Sequence, residues 1–132
     1  MRQKVVVRYR DGAVVKGTTG DFAPNRPSFT LDREPPSPAG PVTVQVEDLK
    51  ALFFVRSFEG NRDYREQKLR LPEGTIGRRY LLTFTDGETM RGTALGANLS
   101  RYGFLLFPSD TGGNNKRIFV VHSAVRELRQ EP

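Results

Sequence analysis

The sequence contains no cysteine. Disulfides and thiolate-bound zinc are therefore excluded. A single histidine, His122, leaves no partner for the usual His-containing metal or triad constellations. A packed or surface histidine is the expectation there, not a catalytic one. No apolar run reaches the 18 residues that suggest a membrane-spanning helix. The opening "MRQKVVVRYRDG" has too short an apolar stretch for a signal peptide. The expectation is a soluble, cytoplasmic protein without a membrane partner. Catalytic patterns are missing too. Asp11, Asp21, Asp48, Asp86 and Asp110 fall at turns and corners, and no carboxylate pair has a spacing suited to glycosidase or metal chemistry. "GTTG" (17–20) and "DTGGNNK" (110–116) lack the Walker spacing and a following helix. No enzyme activity, metal or cofactor is expected.

What the chain does have is positive charge, turns and β-formers. Its 132 residues carry 21 Lys and Arg against 15 Asp and Glu, a formal net charge of +6, which favours polyanionic partners. Thirteen glycines and nine prolines, with many Val, Phe and Thr, point to an all-β architecture.

A repeat organises the chain. "VVVRYRDGAVVKGTT" (5–19) aligns without a gap on "YLLTFTDGETMRGTA" (80–94), so that Asp11-Gly12 falls on Asp86-Gly87. The same shift carries Arg26 onto Arg101, Phe29 onto Phe104 and Leu31 onto Leu106. After a loop longer by one residue, "PVTVQVEDLKAL" (41–52) meets "RIFVVHSAVREL" (117–128). Each unit reads as five short strands. Two of them flank an Asp-Gly two-residue hairpin, and a tight corner at Glu47-Asp48 or His122-Ser123-Ala124 separates the last two. Residues 1–57 and 78–132 are the two units, and the charged, Pro- and Gly-bearing stretch 58–77 is a linker. Units of this size bury only about 60% of their chain surface, so the lobes are expected to pack on each other or on a second copy. The apolar "ALFFV" (51–55) is the natural contact.

The residues "VVVRYRDGAVVKGTTGDF" resemble the first Sm motif, and "RIFVVHSAVRELR" the second. The resemblance implies an all-β chain of two tandem SH3/Sm-like five-stranded small β-barrels related by internal duplication. It also implies single-stranded RNA as a ligand, held near the third strand. "LKALFFVRSFEGNRDYRE" and "GFLLFPSDTGGNNKRIFVV" are also similar to an uncharacterised bacterial family whose members occur in signalling contexts, sometimes beside PilZ-type domains.

Arg26 and Arg101 precede the third strand in both units, and Tyr102 beside Arg101 can stack on a base. With Lys116 they form the expected nucleic-acid surface. "NLSRYG" (98–103) resembles the (Asp/Asn)-x-Ser-x-x-Gly element of PilZ domains, which bind cyclic di-GMP. That alternative site comprises Asn98, Ser100 and Gly103 with the nearby Arg78 and Arg79. The bland alternative is a turn in which Asn98 and Ser100 bond local backbone and Gly103 relieves strain. A third possibility is a protein adaptor using the apolar "ALFFV" stretch or the linker.

Overall fold

In each unit a strand runs into an Asp-Gly turn, and the turn decides how the next strand returns. A computed structural model describes residues 2–58, 77–95, 100–109 and 115–132. Most of the expected linker, 59–76, lies outside the described residues. The first half forms β1 (Gln3–Tyr9), β2 (Val14–Thr19), β3 (Ser28–Arg33), β4 (Val42–Gln45) and β5 (Leu49–Val55). The second forms β6 (Arg78–Phe84), β7 (Thr89–Ala94), β8 (Gly103–Pro108), β9 (Asn115–Val121) and β10 (Val125–Glu131).

The hairpin turn is one residue longer than the two-residue form expected. Tyr9 N–H donates to the Ala13 carbonyl at 2.9 Å, and Phe84 N–H to that of Glu88 at 2.8 Å, so the loops are Arg10-Asp11-Gly12 and Thr85-Asp86-Gly87. Each aspartate turns its carboxylate back onto the chain, Asp11 Oδ1 accepting from Ala13 N–H and Asp86 Oδ1 from Glu88 N–H. Gly12 and Gly87 then take φ of 98° and 92°, the left-handed position of a three-residue hairpin loop.

The ten strands form one continuous antiparallel sheet in the order β10-β6-β7-β8-β9-β5-β1-β2-β3-β4. Within it the two halves share one internal order: the last strand of each half beside the first, then the second, third and fourth. The third strand changes partner at the same place in each. β3 pairs with β4 up to Leu31 and with β2 from Asp32, while β8 pairs with β9 up to Leu106 and with β7 from Phe107. Gly17 and Gly92 lie at these crossings, where a Cβ would collide with the carbonyl oxygens of Asp32 and Phe107. Short 3₁₀ turns, Val46–Asp48 and His122–Ala124, form the corners before β5 and β10.

The halves are joined by the antiparallel pairing of β5 with β9, Leu52 opposite Phe119 and Phe53 opposite Ile118. The strand ladder thus runs from one half into the other. The reason lies in β5. All seven of its residues are buried, so it needs a wall on each side. Leu49, Leu52 and Phe54 face one core with Val5, Val7, Phe29 and Leu31. Ala51, Phe53 and Val55 face a second core with Leu82, Phe84, Leu106 and Ile118. β9 does the converse, sending Phe119 and Val121 into the first core and Ile118 and Val120 into the second. Each buried Phe or Val exchanged in this way contributes about 1.5–3 kcal/mol, which ties the halves far more strongly than a tether does.

Lys50 reinforces the junction. Its ammonium reaches from β5 to the second half's hairpin, 2.7 Å from Asp86 Oδ2 and 2.6 Å from Glu88 Oε1, and lies 4.6 Å from the centre of the Phe84 ring. Lys50 is buried, while the two carboxylates stay largely in solvent. Lys50→Met keeps the stem and removes the charge. Its expected cost is about 2 kcal/mol, between the ~0.2–1 kcal/mol of exposed pairs and the ~3–5 kcal/mol of broken buried ones. The hydrogen bond from Lys50 holds the Asp86 carboxyl below its ordinary value of 3.8, and the Thr30 N–H does the same for Asp21. Both carboxyls therefore add stability above that value and lose it as pH falls through their lower folded-state range. Urea titrations at descending pH should show stability falling in acid, with a shallower fall in Lys50→Met.

Candidate functional site

Residues 20–27 and 100–102, which precede the third strands, meet at the junction. Asn25 and Ser100 occupy equivalent positions in the repeat, as do Arg26 and Arg101. Arg101 N–H donates to Asn25 Oδ1 at 3.0 Å, which brings the two loops together. Below them is a hollow of about 270 Å³, floored by Phe104, Leu105, Phe107 and Phe119 and rimmed by Pro24, Asn25, Leu95 and Ser100. Among the described residues no lining side chain is acidic. Two lining residues are exposed apolar ones, Leu95 at 67% and Phe107 at 42%.

Each loop is braced from its own half. Asp21 Oδ1 accepts from Thr30 N–H at 2.9 Å and from the Thr19 hydroxyl at 3.1 Å, fastening the first loop to β3. Arg26 donates to the Asp21 carbonyl at 3.3 Å and its side chain is otherwise in solvent. In the second loop the Ser100 hydroxyl donates to the Gly103 carbonyl. The His122 ring nitrogen Nε2 lies 3.3 Å from the Ser100 carbonyl, and His122 N–H donates to the Tyr102 carbonyl at 2.9 Å. The first half has the same corner bond, Val46 N–H to the Pro27 carbonyl. The Arg101 guanidinium stands 5.4 Å from the centre of the Tyr102 ring, while the half-buried ring packs on the first core.

Of the residues singled out from sequence, Arg26, Arg101 and Tyr102 are thus gathered on neighbouring loops. Lys116 has its backbone in β9, and its side chain lies outside the described residues, as does Asn98. Ser100 lines the hollow, but Gly103 is buried in β8, where a Cβ would overlap the Val120 carbonyl oxygen. Arg78 and Arg79 reach from β6 to the end of the neighbouring β10 and the residue after it. Arg78 donates to Gln130 Oε1 at 3.5 Å and Arg79 to the Pro132 carbonyl at 3.3 Å. Neither contact involves Ser100 or Gly103.

Asn25 and Leu95 were not among the sequence candidates, although for Leu95, as for the aromatic Phe107, a signal was present. The repeat matches Leu95 with Gly20, Leu105 with Thr30 and Phe107 with Asp32. Apolar groups therefore line this strip only in the second half, where it faces the neighbouring loop. Among the described residues no cluster of three His, Asp or Glu could hold a metal ion, and no helix is long and apolar enough to cross a membrane.

The chain is an all-β protein in which two like halves share a ten-stranded antiparallel sheet. Residues 1–131 match the model described as Family of unknown function (DUF6982), and the chain belongs to that family. No curated protein and no solved structure matches the chain.

Proposed function

We propose that the chain is a tandem of two Sm/SH3-like small barrels that acts, without catalysis, as a binding module for single-stranded nucleic acid in the bacterial cytoplasm. The shared strand order of the halves, the partner change in β3 and β8 and the two cores support the barrel reading. The observation that carries the function is the hydrogen bond joining Asn25 to Arg101. It sets Arg26 and Arg101 beside an apolar hollow whose described lining carries no acidic group. Such a hollow takes a splayed base while the guanidinium groups take the phosphates, which is how single strands are bound without duplex geometry. Arg101 over Tyr102 offers a planar cation on which a neighbouring base can stack. The hollow's volume falls just under the ~300–1,000 Å³ typical of drug-sized ligands, a size suited to one base rather than a whole dinucleotide. Cyclic di-GMP draws less support, because Arg78 and Arg79 engage β10 and Gly103 is packed against the Val120 carbonyl of the neighbouring strand.

Fluorescence anisotropy with mixed-sequence single-stranded oligonucleotides at two salt concentrations tests the reading. Binding should weaken as salt rises. Arg26→Glu with Arg101→Glu should remove two phosphate contacts and flatten the log–log salt slope by at least about 1.4. Phe107→Asp installs the residue of the first half's equivalent position and should cost about tenfold or more in affinity, with the fold intact. Absence of binding at low salt, or variants that bind like wild type, refutes the proposal. Cyclic di-GMP as competitor separates the two ligands.

A further inference from the structure

Among the described residues the sheet ends on β4 and β10, the same two kinds of strand that pair inside the molecule as β9 and β5. A second copy could in principle continue the ladder, its β4 lying on the β10 of the first. The repeat shows what stands in the way. At the positions of β5 that face the other half, Ala51, Phe53 and Val55, the equivalent residues of β10 are Glu127, Arg129 and Glu131. At the positions of β9 that do so, Phe119 and Val121, β4 carries Thr43 and Gln45. Of the positions that face each strand's own core, Leu49 matches Val125, Leu52 matches Leu128 and Val44 matches Val120, all apolar, while Phe54 matches Gln130 near the end of β10. On the side that a neighbour would cover, every one of the five positions has changed from apolar to polar or charged.

We infer that these five positions terminate the sheet, so that the chain works as a lone pair of halves with one cleft, and not as a link in a ring or filament. Covering β10 would strip water from Glu127, Arg129 and Glu131. Arg129 pairs with Glu127 at 2.9 Å and Glu131 with Arg91 at 3.0 Å, all of them on or beside the surface to be buried. The facing side of β4 offers only hydroxyl and amide groups, so desolvation of the charges goes uncompensated. Edge strands armed with charge are a general barrier to strand addition. The cleft requires a β9-type strand against a β5-type neighbour, so termination also fixes one cleft per chain.

Light scattering coupled to size exclusion should give 14.9 kDa for the wild type up to the highest soluble concentration. The triple variant E127A/R129F/E131V gives β10 the residues of β5, and its mass should rise at least twofold as concentration increases. Adding Thr43→Pro should return the variant to the monomer mass. Val46 N–H points to Pro27 on the β3 side, so strand alternation turns the Thr43 N–H outward, where the added strand would need it. Should the triple variant precipitate, Thr43→Pro should restore its solubility by the same logic. A wild type that assembles, a folded triple variant that stays monomeric, or association indifferent to Thr43→Pro each overturns the inference. These outcomes are independent of nucleic-acid binding.

Discussion

Phe119→Ala is expected to lower the unfolding free energy by about 3–5 kcal/mol, the range for truncating a fully enclosed phenylalanine. Phe119 belongs to β9 in the second half, but its ring is buried in the first core, 5.0 Å from the Phe22 ring centre. A cavity there weakens a core that the first half cannot close with its own residues. Much of the neighbouring wall is β5 and β1, strands paired on both sides, so little collapse into the space is available. Urea unfolding followed by circular dichroism measures the cost. Because β5 and β9 each line both cores, the loss should appear as one cooperative transition shifted to lower urea. A cost below about 1 kcal/mol, or a biphasic curve with one half surviving, would contradict the shared wall.

The repeat itself was legible, and the reason is local. Asp11-Gly12 and Asp86-Gly87 are turns by backbone chemistry, and Lys16-Gly17-Thr18 recurs as Arg91-Gly92-Thr93 because both glycines sit beneath a crossing strand. The pairing of β5 with β9 was not legible. "LKALFFV" lacks the alternation that assigns residues to faces, since both of its faces are buried, and nothing in such a run says which strand lies beside it. The extra turn residue was hidden for a related reason, because Asp-Gly serves hairpin loops of two residues and of three. The meeting of Asn25 with Arg101, 76 positions apart, is set by that unforeseen pairing. Arg26 and Arg101 could be singled out as repeated cations, whereas Leu95 and Phe107 become informative only where the two halves differ.

Gly103→Ala is expected to cost about 3 kcal/mol, the upper part of the range for overpacking. The atom that the new methyl would meet is the Val120 carbonyl oxygen, held in β9 between two neighbouring strands and unable to swing aside as a flexible side chain could. Relief requires β8 and β9 to separate where Gly103 pairs with Val121 and Phe104 with Val120, which loosens the floor of the cleft as well. Ser100→Ala deletes a single hydrogen bond to the Gly103 carbonyl and should cost only about 1 kcal/mol. The ranking separates two explanations of the Asn98–Gly103 pattern. A glycine kept for close approach of a ligand tolerates a methyl in the free protein and loses binding, whereas a glycine kept for close packing on the neighbouring strand loses stability first. Denaturation midpoints of the two variants decide the matter: a Gly103→Ala protein as stable as wild type would restore the ligand-gripping reading.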